Sequence, residues 1–170
     1  MKAHVRISLL LVVSVVLPAR AASFQGLGAP TGDSASYAYG VSSNGSVVVG
    51  YSEAAPTSFQ AFRWSADQGI EGLGDLPGGF LRQSRAHAVS ANGAVIVGHG
   101  SSDMGNEAFR WTRNQGLVGL GSIGQQELSE ATSVSGNGSV VVGYFQSNFF
   151  EYEAGRLHSQ IREPSWGRVA

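Results

Sequence analysis

A chain of 170 residues carrying 11 basic and 12 acidic side chains, with a formal charge of −1, has no electropositive excess to attract nucleic acid. Without cysteine it can form neither disulfides nor a thiolate metal site, nor carry a lipidated cysteine. The length suits one domain with a genuine core, held by packing alone.

Residues 1–22 have the tripartite pattern of an export signal. Lys2 and Arg6 form a basic start, residues 7–17 an apolar or small run, and Ala19-Arg20-Ala21 a small-x-small cleavage pattern. The run is shorter than the roughly 20 apolar residues that span a bilayer. The expectation is a signal helix cleaved after Ala21 or Ala22. The mature protein would then be secreted, periplasmic or on the cell surface, with no membrane association. Its eight remaining basic residues, all arginine, face twelve acids, a charge of −4.

FQGLG at residues 24–28 reads as a lone strand, and three repeated units follow. SNGSVVVGY at residues 43–51 returns as ANGAVIVGH at 91–99 and as GNGSVVVGY at 136–144. Ala61-Phe62-Arg63-Trp64 returns 47 residues later as Ala108-Phe109-Arg110-Trp111. A period near 47 matches one supersecondary unit in the size range of a propeller blade. Each unit reads as four short strands. The first is SYAYGVS, RAHAVS or EATSVS, and the turn after it carries Asn44-Gly45, Asn92-Gly93 or Asn137-Gly138, residues that accept the positive φ of tight hairpins. The second strand, VVVGY or VIVGH, does not alternate apolar with polar residues, which predicts burial of both its faces. QAFRW or EAFRW is the third strand and GIEGLG or GLVGLG the fourth.

No sustained helical period appears after the signal, so the chain reads as all-β. The expected architecture is a partial β-propeller-like stack of about three four-stranded antiparallel units. A β-solenoid is the main competitor. The expected division is a signal at 1–22, the three-repeat domain at 23–147 and an aberrant or disordered tail at 148–170. In that tail AFRW and the GLxxLG strand are missing, with a degenerate third strand near Phe149 to Tyr152. An open stack of this kind exposes strand edges that favour self-association.

The combination A-x-A-V-S-x-N-G-x-V-V-V-G, then A-F-R-W, then G-L-x-x-L-G resembles the HAF family of extracellular repeats found in exported bacterial proteins. The resemblance implies export, repetition and a propeller-like fold. It brings no catalytic residues with it.

Catalytic chemistry finds little support. His87 aligns with Tyr39 and Thr132, and His99 with Tyr51 and Tyr144, which marks both as polar-aromatic strand positions. His158 lies in the tail with no readable partner. Asp75, Asp103, Glu107, Glu127 and Glu130 fall in loops or strand entries and form no defensible pair. Ser42, Ser90 and Ser135 recur before the turns, where their hydroxyls cap backbone amides. Arg63 and Arg110 sit between Phe and Trp, so alternation sends the arginine to one face and the rings to the other. They serve either to pack the units or to contact an anionic glycan. The candidate ligand contacts are thus Arg63, Arg110, Asp103 and Glu107, with Trp64 and Trp111 and the Asn-Gly pairs as repeat-defining residues. No cofactor is implied. The functional expectation is a non-catalytic module that binds glycan or protein through the variable loops 53–58 and 101–106. The alternative is a secreted hydrolase or lyase acting on polysaccharide from a propeller scaffold.

Overall fold

A computed structural model describes residues 22–55, 57–79, 82–121, 128–148 and 151–158. The expected signal helix and the distal tail lie outside these residues. Among the described residues every regular element is a strand. The first sheet holds β1 (Ala35–Val41), β2 (Val47–Ala55), β3 (Ser58–Ser65) and β4 (Gly69–Gly72) in sequential order. The second repeats this order with β5 (Ser84–Val89), β6 (Ile96–Ser102), β7 (Gly105–Thr112) and β8 (Gly116–Gly119). The third comprises β9 (Ser129–Val134), β10 (Val140–Asn148) and β11 (Glu151–His158). All pairings within the sheets are antiparallel.

The sheets stack face to face on two cores. Val47, Val49 and Ala61 of the first sheet meet Ala86, Ile96, Phe109 and Trp111 of the second. Val95, Val97 and Ala108 of the second meet Ala131 and Val141 of the third. The triple-aliphatic segment is therefore buried on both faces only in the middle sheet, where Val95, Ile96 and Val97 are all buried. In the outer sheets Val48 is half-buried and Val142 is 39 % exposed. The two-sided burial expected of every unit requires a sibling on each side, and each outer sheet has one among the described residues.

The turn phrase owes its recurrence to a side-chain network. Ser90 Oγ accepts the Val95 N–H (3.0 Å) and donates to Asn92 Oδ1 (2.8 Å), which also accepts the Ala94 N–H (3.1 Å). Ser42 with Asn44 and Ser135 with Asn137 repeat the pattern. The asparagine works through its side chain, and the following glycine, at φ of 72 to 74° in all three turns, takes the left-handed conformation. The glycine closing VVVG has a different cause. The first strand of each sheet bulges at Tyr39, His87 or Thr132, where the register skips one residue. A Cβ at Gly50, Gly98 or Gly143 would run into the carbonyl oxygen of Tyr37, Arg85 or Glu130, respectively.

Serines clasp neighbouring sheets. Ser84 Oγ accepts the Ala61 N–H (3.0 Å) and lies 2.8 Å from the Gly74 carbonyl, both in the preceding unit. Ser129 repeats this with Ala108 N (2.9 Å) and the Gly121 carbonyl (2.8 Å). Ser36 Oγ likewise donates to the Gly28 carbonyl (2.6 Å). Residues 24–28 therefore stand to the first sheet as the end of one unit stands to the next. Replacing Ser129 by alanine leaves the buried Ala108 N–H without its partner and should cost about 1–3 kcal/mol, read as a lower urea midpoint at unchanged slope.

The third sheet does not stop at residue 147, which lies within β10; β11 pairs along β10 as far as His158. The AFRW strand is altered there but its register survives. Ala154, Gly155, Arg156 and Leu157 pair opposite Tyr144, Gly143, Val142 and Val141, as Ala61, Phe62, Arg63 and Trp64 pair opposite Tyr51, Gly50, Val49 and Val48. A-G-R-L thus holds the place of A-F-R-W, with glycine where a large ring stands in the other sheets.

Candidate functional site

Two groupings of polar side chains stand out. The first contains Arg63 and Arg110, which line an open cleft of ≈ 720 Å³ with Trp111 and Arg113. Register puts each arginine on the face opposite its flanking Phe and Trp, opposite Val49 and Val97 respectively. Arg63 Nη1 donates to Ser65 Oγ (3.2 Å) and to Gln68 Oε1 (3.4 Å) on its own hairpin. Arg113 reaches from the second sheet to Gln68 (3.1 Å) and Glu71 (3.2 Å) of the first. The Arg110 Nε–H is buried without a hydrogen-bond partner.

Asp103 and Glu107 do not join this cleft. Asp103 is exposed beyond the β6–β7 hairpin, and five residues of strand from Gly105 to Arg110 correspond to roughly 17 Å. Glu107 Oε1 accepts the Gly121 N–H (2.9 Å), a structural use that ties the exit of β8 to β7. Of the repeat residues, Trp111 is buried between the first and second sheets, whereas Trp64 is half-buried on the first sheet's other face.

The second grouping is one the repeat alignment led away from. His87 Nε2 lies 3.0 Å from His99 Nδ1. Glu130 Oε1 is 3.2 Å from His87 Nε2, and Glu130 Oε2 is 3.4 Å from His99 Nδ1. Tyr144 donates its hydroxyl to Glu130 Oε2 at 2.6 Å. His87 is the bulge residue of the second sheet, a position that re-aims a side chain, and His99 stands on β6. Glu130 comes from β9, so the cluster bridges two sheets. Tyr39 meets the His87 ring edge-on, and Arg85 lies over the rings of Tyr51 (5.0 Å) and Phe59 (4.2 Å).

Burial dominates the electrostatics of the two imidazoles. It lowers the pKa of His87 and pushes that of His99 down to about 4, although the Glu130 carboxylate acts in the opposite direction. With their pKa values lowered, both rings are neutral at pH 7, so neither forms an ion pair with Glu130. The Tyr144 hydroxyl is pushed up to about 12, mainly by its hydrogen bond to Glu130.

The signal for this cluster was in the repeats. Positions 37, 85 and 130 are equivalent, as are 39, 87 and 132, and 51, 99 and 144. Histidine occupies two of them in one unit and an acid the third in the next. Reading each column separately hid that the columns meet in space.

No family model and no curated protein matches the chain. Among solved structures it is similar to TolB from Acinetobacter baumannii, with a TM-score of 0.56 and 9 % identity over 78 % of this chain and 31 % of that one. It is also similar to a putative TolB from Agrobacterium tumefaciens, with a TM-score of 0.52 and 14 % identity over 76 % of this chain and 47 % of that one. The chain thus spans less than half the length of either. These likenesses, with the three stacked antiparallel sheets, define an all-β protein of propeller type.

Proposed function

We propose that this is an exported, non-catalytic propeller-type module of HAF-like repeats that binds an anionic glycan or protein segment. The observation that carries the reading is the convergence of Arg63, Arg110 and Arg113 on one open cleft, where Glu71 pairs with Arg113 and Asp67 lies within electrostatic reach of Arg63, three cations against two acids. Planar guanidinium groups suit carboxylate and sulfate ligands. The cleft replaces the hairpin loops 53–58 and 101–106 as the proposed contact surface, because the arginines sit toward the other end of their strands. Export to the periplasm or cell surface is the setting that the N-terminal pattern supports.

Affinity electrophoresis through polygalacturonate should retard the protein, and neutral dextran should not. The double variant R63A/R110A should lose at least about tenfold in affinity, and added salt should weaken wild-type binding. Equal retardation of wild type and variant would remove the cleft from the proposal. Release of reducing ends from the polysaccharide would favour the hydrolase or lyase alternative.

Self-association through the outer sheets is part of the same reading. The face of the third sheet turned from the second, exposed among the described residues, carries Val142 and Tyr144 in the register of Val49 and Tyr51, whose face packs against the second sheet in the first interface. The other end leaves Val41 60 % exposed. A second copy could therefore stack head to tail on either end, and light scattering that shows a monomer at high concentration would count against it.

A further inference from the structure

We propose that His87, His99 and Glu130 bind one divalent first-row transition metal ion, with zinc as the test case, as a clamp between the second and third sheets. This inference is independent of the arginine cleft. The three donor groups come from three strands and converge with their donor atoms facing one another. The two imidazole nitrogens lie 3.0 Å apart, and each faces a different oxygen of Glu130, Oε1 at 3.2 Å from His87 and Oε2 at 3.4 Å from His99, so the carboxylate would hold the ion through both oxygens. An ion about 2.0–2.1 Å from each donor places neighbouring ligands roughly 2.9 Å apart at right angles and about 3.4 Å apart at the tetrahedral angle.

Hydrogen bonding alone leaves the cluster underused. Two inward-pointing ring N–H groups would clash across the 3.0 Å gap, so at most one of the facing nitrogens can carry a proton in comfort. The other accepts that proton and has none of its own to donate to the carboxylate oxygen beside it. A dipositive ion satisfies all three groups at once. The surroundings also fit: the Tyr144 hydroxyl donates to Glu130 and orients its carboxylate, as hydrogen-bond donors behind metal ligands do, and the side chains are 10 to 23 % exposed, which leaves an entry path. Two imidazoles and one carboxylate favour zinc, copper, nickel or iron over calcium and magnesium. A solvent molecule would complete the coordination.

The test is calorimetric titration of ZnCl2 into the chelator-stripped full chain, with thermal melting alongside. One equivalent of zinc should bind per chain, and the melting temperature should climb with zinc concentration. Millimolar MgCl2 should do neither. H87Y and H99Y install residues that equivalent positions already carry, Tyr39 and Tyr51, so they should fold while losing at least about 100-fold in zinc affinity. E130Q, isosteric and still able to accept from Tyr144, serves if a tyrosine variant does not fold. Y144F should weaken binding by about tenfold through the carboxylate it orients. No uptake by the wild type, or uptake unchanged in H99Y and E130Q, would overturn the site and leave a neutral histidine pair that packs two sheets.

Discussion

Replacing Ile96 by aspartate is expected to abolish cooperative folding. Ile96 has no exposed surface and sits among Val49, Ala61, Phe109 and Trp111 between the first two sheets. An unpaired buried carboxylate costs several kcal/mol, of the order of the whole stability of a small domain, about 5–15 kcal/mol. Val141, equally buried against the second sheet, should behave the same way as V141D. V48D, at the half-buried equivalent position of the first sheet, should cost clearly less, and V142D, on an open face, should cost little. Circular dichroism melts of the four variants measure this order. An I96D protein melting like wild type would mean that the sheets do not stack as described.

In metal-free protein, stability should fall as pH drops from about 6.5 toward 4. The folded His99 resists protonation because it is buried, while the unfolded chain takes up the proton near the ordinary value of 6.5. Across that window the unfolded state binds more protons, so stability rises with pH; below a pH of about 4 both states are protonated and the slope vanishes. The shift corresponds to a loss of about 3 kcal/mol, with His87 adding in the same direction. Other carboxylates titrate as pH approaches 4, so the quantity to measure is the difference between wild type and H99Y in urea midpoint at pH 7 and pH 4.5. Parallel curves for the two proteins would show that burial does not hold His99 neutral.

Much of the architecture was legible because it is local and repeated. The Ser-x-Asn-Gly turn encodes its own hydrogen bonds over five residues, and the alternation in AFRW places arginine and rings on opposite faces wherever the strand lies. The third sheet was harder to read, since A-G-R-L keeps the register of A-F-R-W without its aromatic signature. Backbone pairing along β10 tolerates glycine and leucine where sequence comparison looks for Phe and Trp.

Strands, hairpin turns and the period near 47 can be read from the amino acids alone, because each depends on side chains close along the chain and on a pattern the copies repeat. Which faces are covered, which arginines share a cleft and that His87, His99 and Glu130 converge were decided only by tertiary structure. These depend on how one sheet is set against the next, and on a bulge that turns a single side chain toward its neighbour. Repetition makes the scaffold readable, whereas a site is made where copies differ, and those differences acquire meaning only once the copies are placed in space.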